Sequence, residues 1–382
     1  MIQYWKKKPI QMKKENIHIR HISTTEEFEN LENPWSELLA ENHIQSAFLS
    51  WEWLFSWWQV YDQEKELWLI SAWQNEELVG IIPLMLQDKK TNGLNFRTLL
   101  PLGSPQCDVS GFLVKNMREE ILFALSKYLL EQRKLWDTLA LNHFAPNDPA
   151  LAYLKIIFQK EGFKTREKVS EHYYLELNKN WEELLANLSR KFRKNLRRAA
   201  RLAEGTGKVS LSHYSGDEVT WQIFQKIIDI NQHARFPLIY QSPEEQAFHK
   251  ELSERASKKD LISVFLLSID NIPLAYEYGF TYKNRYEAWR AGYDMRFDPT
   301  ISIGKLLSRM MTEKAFTLNY TEIDFLRGDE AYKTDWNTQT RVYTKTRFIK
   351  KSNLLARWVF IWFPKIRKSL KSLLPKNLIE RR

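Results

Sequence analysis

The pattern that most constrains this chain is one it uses twice. Residues 66–73 read as an apolar strand, Gln74-Asn75-Glu76-Glu77 as a turn, and 78–85 as a return strand. In the other half, 261–269, Asp270-Asn271 and 272–280 repeat that order. Asn and Asp tolerate the left-handed backbone of a tight turn, so each pair reads as a β-hairpin. An amphipathic helix follows in each half, at 119–134 and 304–319, and then a further strand, at 136–142 and 320–326. This recurrence predicts two copies of one α/β unit of the α+β kind, with mixed, mostly antiparallel sheets flanked by helices.

A length of 382 residues suits two cores better than one. The expected units are 1–165 and 166–350, because Gly162-Phe163 closes the first half and Tyr173–Leu177 opens a new strand. Residues 351–382 form a tail of different composition. The single cysteine, Cys107, excludes an internal disulfide framework and a cysteine-based metal cluster. It fits a reduced, cytoplasmic protein. No apolar span is long enough to cross a bilayer, and no apolar segment follows Lys6-Lys7-Lys8 as a signal peptide requires.

The net charge of +10 sits at the ends. Residues 351–382 hold nine Lys or Arg and one Glu, residues 1–20 hold six and one, and the body between carries −3. A general nucleic-acid footprint would place its charge on the body. In the tail, 354–363 is apolar nearly all round. After Pro364, Ile366, Leu370, Leu373 and Leu374 recur at helical spacing among Lys365, Arg367, Lys368 and Lys371. That pattern suits an anionic membrane surface; packing of 354–363 on the protein's own body is the other reading.

The strand Ile323-Asp324-Phe325-Leu326 runs into a turn holding Arg327, Gly328, Asp329, Glu330, Tyr332 and Lys333. Alternation puts Ile323, Phe325 and Arg327 on one face and Asp324, Leu326 and Gly328 on the other. Asp329 or Glu330 suits an amine. Arg327 suits a carboxylate or phosphate; alternatively, Arg327 and Asp329 pair with each other, or the acid with Lys333, to fix the turn. Ser302-Ile303-Gly304-Lys305 opens a helix whose free amides and positive dipole end attract phosphate; an ordinary Ser-capped helix is the alternative.

Glu277 lies on a return strand, as a base or as a solvent-facing acid, and amides around 276–279 are candidates for an oxyanion. His233 has the free pKa for proton transfer or is structural. Residues 190–201 carry seven cations without an acid, leaving Phe192, Leu196, Ala199, Ala200 and Ala203 as an apolar stripe. Trp51, Trp53, Trp57 and Trp58 read as core. Asp108 is a candidate for the cleft between units.

In order, the stretches 48–54 with Trp57-Trp58, 189–198, 233–236, and 325–330 with Tyr332-Lys333 resemble those of tandem GNAT-like proteins. The chain resembles FemAB-type transferases and, more closely, CelD-like bacterial acetyltransferases associated with cellulose and exopolysaccharide production, up to about Lys350. The resemblance implies direct acyl transfer from acetyl-CoA or another acyl-CoA to an amine, without a metal. The acceptor would be a small molecule or glycan amine, such as an amino sugar, near the inner face of the membrane. It implies coenzyme A pyrophosphate at Ser302, Ile303, Gly304 and Lys305, although one glycine stands where a glycine-rich run is usual. The catalytic candidates are then Glu277, His233, Asp329 and Tyr332. The substrate-binding candidates are Arg327, Glu330, Lys333, Asp108, Arg193 and Arg197. Two alternatives stay open: an aminoacyl-tRNA-dependent ligase of the FemAB type, for which tRNA is the partner, and a non-catalytic scaffold of a polysaccharide assembly.

Overall fold

The computed structural model describes residues 16–235, 240, 242–364 and 366. Lys6–Lys8, Phe236-Pro237, Lys365 and the basic repeat beyond Ile366 lie outside the described residues. The first half opens with β1 (His18–Ile22), α1 (Thr25–Glu29), α2 (Glu32–Ala40) and α3 (Trp51–Tyr61). Then come β2 (Lys65–Gln74), β3 (Glu77–Thr91), β4 (Leu94–Pro101), β5 (Leu113–Val114), α4 (Glu119–Glu131), β6 (Thr138–Phe144) and α5 (Pro149–Lys160). β7 (Phe163–Glu176), α6 (Trp181–Asn187), α7 (Arg190–Glu204), β8 (Val209–Ser215), α8 (Trp221–Asn231) and α9 (Pro243–Ala256) lead into the second half. It closes with β9 (Ile262–Ile269), β10 (Ile272–Tyr282), β11 (Arg285–Tyr293), α10 (Ile303–Thr317), β12 (Glu322–Arg327), α11 (Ala331–Asp335), β13 (Gln339–Lys350) and α12 (Leu354–Arg357).

Both hairpins form, and each has a third strand that the sequence reading ran past. β2-β3-β4 and β9-β10-β11 are antiparallel meanders. Their turns are Asn75-Glu76, Asn92-Gly93, Asp270-Asn271 and Lys283-Asn284. Each is a two-residue loop with positive φ at both positions. That is the mirror-image turn matching the right-handed twist of paired strands. A helix then crosses over, α4 or α10, and a strand returns parallel to the third, β6 to β4 and β12 to β11. The two units are therefore one topology used twice.

The units share one mostly antiparallel, 13-stranded sheet, ordered β1-β2-β3-β4-β6-β13-β7-β12-β11-β10-β9-β8, with β5 on β3. The boundary expected at 165/166 falls inside β7, which pairs with β13 along its length and with β12. β13 also pairs with β6, so the last strand of the second unit is inserted against the first. A buried ion network reinforces the seam. Arg285 donates to Glu322 at 2.9 Å, to Asp324 at 3.0 Å and to the Gln45 carbonyl at 2.6 Å. Glu287 accepts the Ala47 amide at 3.0 Å. Such a network favours one docking geometry, since a misplaced partner leaves a buried charge unpaired.

The α3 tryptophans are core: Trp51, Trp53, Trp57 and Trp58 are all buried, and Trp53 packs edge-on to Phe248 of α9 at 5.6 Å. Among the described residues, no helix is long and apolar enough to cross a membrane. α12 and the turn that continues it, Trp358–Trp362, lay Ala356, Val359 and Phe360 on Phe96 and Ile349.

Candidate functional site

β11 and β12 pair only over Arg285–Glu287 and Glu322–Asp324. β11 then continues along β10 alone, while β12 goes to β7. The cause is local. Asp324 is fully buried, and its carboxylate accepts the Leu326 amide at 2.8 Å while holding Arg285. Leu326 is thereby fixed at φ +57°, a left-handed conformation costing a branched side chain about 1–2 kcal/mol. The strict alternation read across 323–328 stops there, and Phe325 and Leu326 are both buried.

The parting of these strands leads into a cavity of about 570 Å³. Ala291, Gly292 and Tyr293 of β11 form one wall, and Ser302, Ile303, Gly304 and Lys305 at the start of α10 another. Glu277 of β10, Tyr332 and Trp336 enter from the side, Phe192 from α7, and Asn231 and Arg235 from the end of α8. The cavity thus brings together Glu277, Tyr332 and the 302–305 helix start. Ser302 makes no side-chain cap. Among the described residues the Gly304 and Lys305 amides have no acceptor, so this helix end is open to an anion. A Cβ on Gly292 would sit 2.8 Å from the Tyr276 ring, and one on Gly304 3.3 Å from Tyr293.

Glu277 is 7% exposed, and no hydrogen bond to it is found among the described residues. Burial pushes its carboxyl up to about 8, with the Lys333 ammonium opposing. A carboxylic acid with that pKa exchanges a proton near neutral pH. Burial, and then the Glu277 carboxylate, raise the Tyr332 phenol well above its ordinary value; its ring stands edge-on to Phe325 at 6.0 Å. The amides of 276–279 do not suit an oxyanion as expected, because β10 is paired on both sides. The free edge belongs to 288–293 of β11.

The remaining sequence candidates lie elsewhere. His233 is beside the cavity loop, its carbonyl accepting the Met295 amide at 3.0 Å, but it does not line the wall. Arg327 pairs with Asp108 across the seam, and donates to the Pro105 carbonyl at 3.1 Å beside His143 Nε2 at 3.0 Å. Both residues therefore bridge the two units, and neither lines the cavity. Lys333 is buried, its Nζ 2.9 Å from the Arg327 carbonyl and 2.8 Å from Glu330. The turn is fixed by Lys333 with Glu330, not by the pairing of Arg327 and Asp329 with each other or with Lys333, and Asp329 stays exposed. Arg193 donates to the Leu188 carbonyl at 2.9 Å and the Leu185 carbonyl at 3.3 Å. It closes the end of α6 and does not line the cavity. Arg197 is exposed on α7, whose apolar stripe is buried as read.

Sequence reasoning missed Trp336, whose indole donates to Ser308 at 2.7 Å in the cavity wall. It also missed the seam histidines. Burial, aided by nearby cations, holds His143 down to about 3. Burial together with His143 and Arg327 holds His172 to about 2. An acid inside an apolar strand, Asp324, was the one available signal for the splay.

Residues 190–334 match the model of the acetyltransferase (GNAT) domain. That segment contains α10, the β11–β12 splay and every cavity-lining residue except Trp336. No curated protein matches the chain. Among solved structures, FemX is similar with a TM-score of 0.59 at 14% identity, over 90% of this chain and 99% of FemX. The C-terminal domain of a putative lysylphosphatidylglycerol synthetase from Agrobacterium fabrum aligns with a TM-score of 0.53 at 11% identity, over 87% and 95% of the two chains. L-PGS from Bacillus licheniformis aligns with a TM-score of 0.52 at 10% identity, over 88% and 96%. At identities this low the likeness shows a shared fold alone.

Proposed function

We propose that the second unit transfers an acyl group from acyl-CoA to an amine. The observation that carries this reading is the cavity at the β11–β12 splay. It joins an open helix N-terminus to a buried carboxyl of raised pKa, inside the segment that matches the acetyltransferase domain. The α10 amides at Gly304 and Lys305 would take the pyrophosphate of coenzyme A. The exposed edge of 288–293 offers backbone groups to the pantetheine arm and an N–H to the developing oxyanion. In this reading Glu277 accepts the proton of the attacking amine, and Tyr332 gives a proton to the leaving thiolate. The acceptor, in this reading, is the amine of an amino sugar or glycan intermediate, as the sequence resemblance implies.

The test is calorimetric titration with acetyl-CoA. Micromolar binding that Gly304→Asp abolishes and Glu277→Gln preserves is the expected result. Absence of binding by the wild type would overturn the reading.

One observation favours a second donor. Arg190, Lys191, Lys194, Arg197, Arg198 and Arg201 are all exposed on α7, whose Phe192 reaches the cavity. A polyanion such as aminoacyl-tRNA would find that helix complementary. Tight binding of tRNA that falls steeply with salt, in the absence of acetyl-CoA binding, would select this donor. Binding of neither would leave the non-catalytic scaffold.

A further inference from the structure

The C-terminal helical segment is covered on one side only. Phe360 meets Phe96 at 5.0 Å, and Arg166 donates to the Phe360 carbonyl at 2.8 Å. The opposite side carries Leu355, Trp358, Trp362 and Ile366, which are 50%, 48%, 37% and 44% exposed. Their spacing of three or four residues puts them on one stripe. Trp358 and Trp362 stand 6.3 Å apart, and the Arg357 guanidinium lies 4.7 Å over Trp362. Large apolar side chains exposed in a row mark a surface that meets something.

The charge around the stripe says what that is. Lys351 and Arg357 flank it, and the sequence continues with Lys365, Arg367, Lys368, Lys371, Lys376, Arg381 and Arg382 against Glu380 alone. Indole rings sit favourably at the boundary between headgroups and acyl chains, and cations beside them meet lipid phosphates. At about 1.5 Å per residue the stripe is roughly 16 Å long, suited to lying in that boundary. We infer that the Leu355–Trp358–Trp362–Ile366 stripe docks this protein on the surface of an anionic lipid bilayer. The buried side of the same segment keeps the docked helix fixed to the sheet at Phe96 and Ile349.

The experiment is co-sedimentation of the full chain with phosphatidylcholine vesicles, with and without phosphatidylglycerol. The expected result is binding to the anionic vesicles only, weakened by added salt and lowered about tenfold or more in Trp358→Ser/Trp362→Ser. An unchanged melting temperature of the double variant shows that the fold is intact. Failure to bind anionic vesicles, or equal binding by the variant, overturns the inference. So does a dimer that the double substitution abolishes, since a second copy would then cover the stripe. Acetyl-CoA affinity, measured on the same samples, is independent of every one of these outcomes.

Discussion

The two copies of the unit part their strands at the same place and then differ in what fills the gap. In the first, β4 and β6 pair in parallel only at Thr98–Thr138 and Leu99–Leu139. The chain that leaves β4 then turns back: Ser110 bridges Phe144 in parallel, and Leu113–Val114 pairs with β3. Gly103 sits against Trp53, and Cys107, Val109 and Phe112 are buried. In the second copy, the chain leaving β11 instead runs outward through 294–302 as the rim of a cavity. One gap is packed with the protein's own side chains and serves as core. The other is kept open, its walls made from a helix start, a glycine and a buried acid. A duplicated fold can thus keep an open cavity in one copy and a structural joint in the other, with loop course deciding which.

The sharpest break of this comparison is Glu277→Gln. If the open gap is the reaction centre, the substitution lowers kcat by about 10²–10⁴-fold, the usual worth of a positioned base, with acetyl-CoA affinity retained. The wild-type rate should climb with pH through about 8, because the base works only when deprotonated, and the variant should lack that limb. Stability gives an opposite sign. A carboxyl whose folded pKa lies above its unfolded value favours folding most below the unfolded pKa, and that contribution is lost as pH rises toward 8. Glu277→Gln should therefore melt no lower than wild type at pH 8.5. Loss of both activity and stability at that pH would make Glu277 a structural residue. Next in size is Gly304→Asp, which puts a carboxylate at the open helix end beside Tyr293. It is expected to weaken acetyl-CoA binding about 100-fold, read by calorimetry, through lost dipole and amide contacts and direct repulsion.

What the sequence made legible was local. Hairpin turns were readable because Asn, Asp and Gly favour the left-handed backbone. The anion-competent start of α10 was readable because Ser, Gly and Lys precede an apolar period. The third strands were not, since β11 carries Arg285, Glu287 and Arg290 among its apolar residues and so lacks the continuous apolar run by which the others were found. The splay depends on a bond between the Asp324 side chain and an amide two residues on, which no periodicity registers. The seam was least visible of all. Arg285 meets the Gln45 carbonyl, and Arg327 meets Asp108, through the packing of one unit on the other. The same basic turn that sequence alone offered as a substrate clamp is committed there.

That commitment predicts a seam-breaking variant. Arg327→Ala removes the cation facing Asp108, whose carboxyl burial pushes up to about 6 even with Arg327 and other cations opposing. Below that pH the acid can stay neutral, so the cost is small. Above it, a buried charge loses its main partner, and the expected loss is about 2 kcal/mol, the partial exposure of Arg327 keeping it below the range for fully buried pairs. Melting curves at pH 5.5 and pH 8 should separate, with the larger deficit at pH 8. Equal deficits would mean that Arg327 acts through packing rather than charge.

The variant with the smallest expected effect on acetyl-CoA binding tests the filled gap itself. Gly103 has φ +86°, and a Cβ there would lie 2.4 Å from the Trp53 ring. Gly103→Ala must therefore strain the backbone and push an indole that Phe48, Phe248 and Trp289 already surround. Overpacking of this kind costs about 1–3 kcal/mol, so the melting temperature should fall by several degrees. Acetyl-CoA affinity should not move, because the first gap is core and the cavity proposed to take acetyl-CoA belongs to the second. A fall in affinity with the stability loss would show that Trp53 transmits the packing of one gap to the other through Trp289, which neighbours Arg290 and Ala291 on β11.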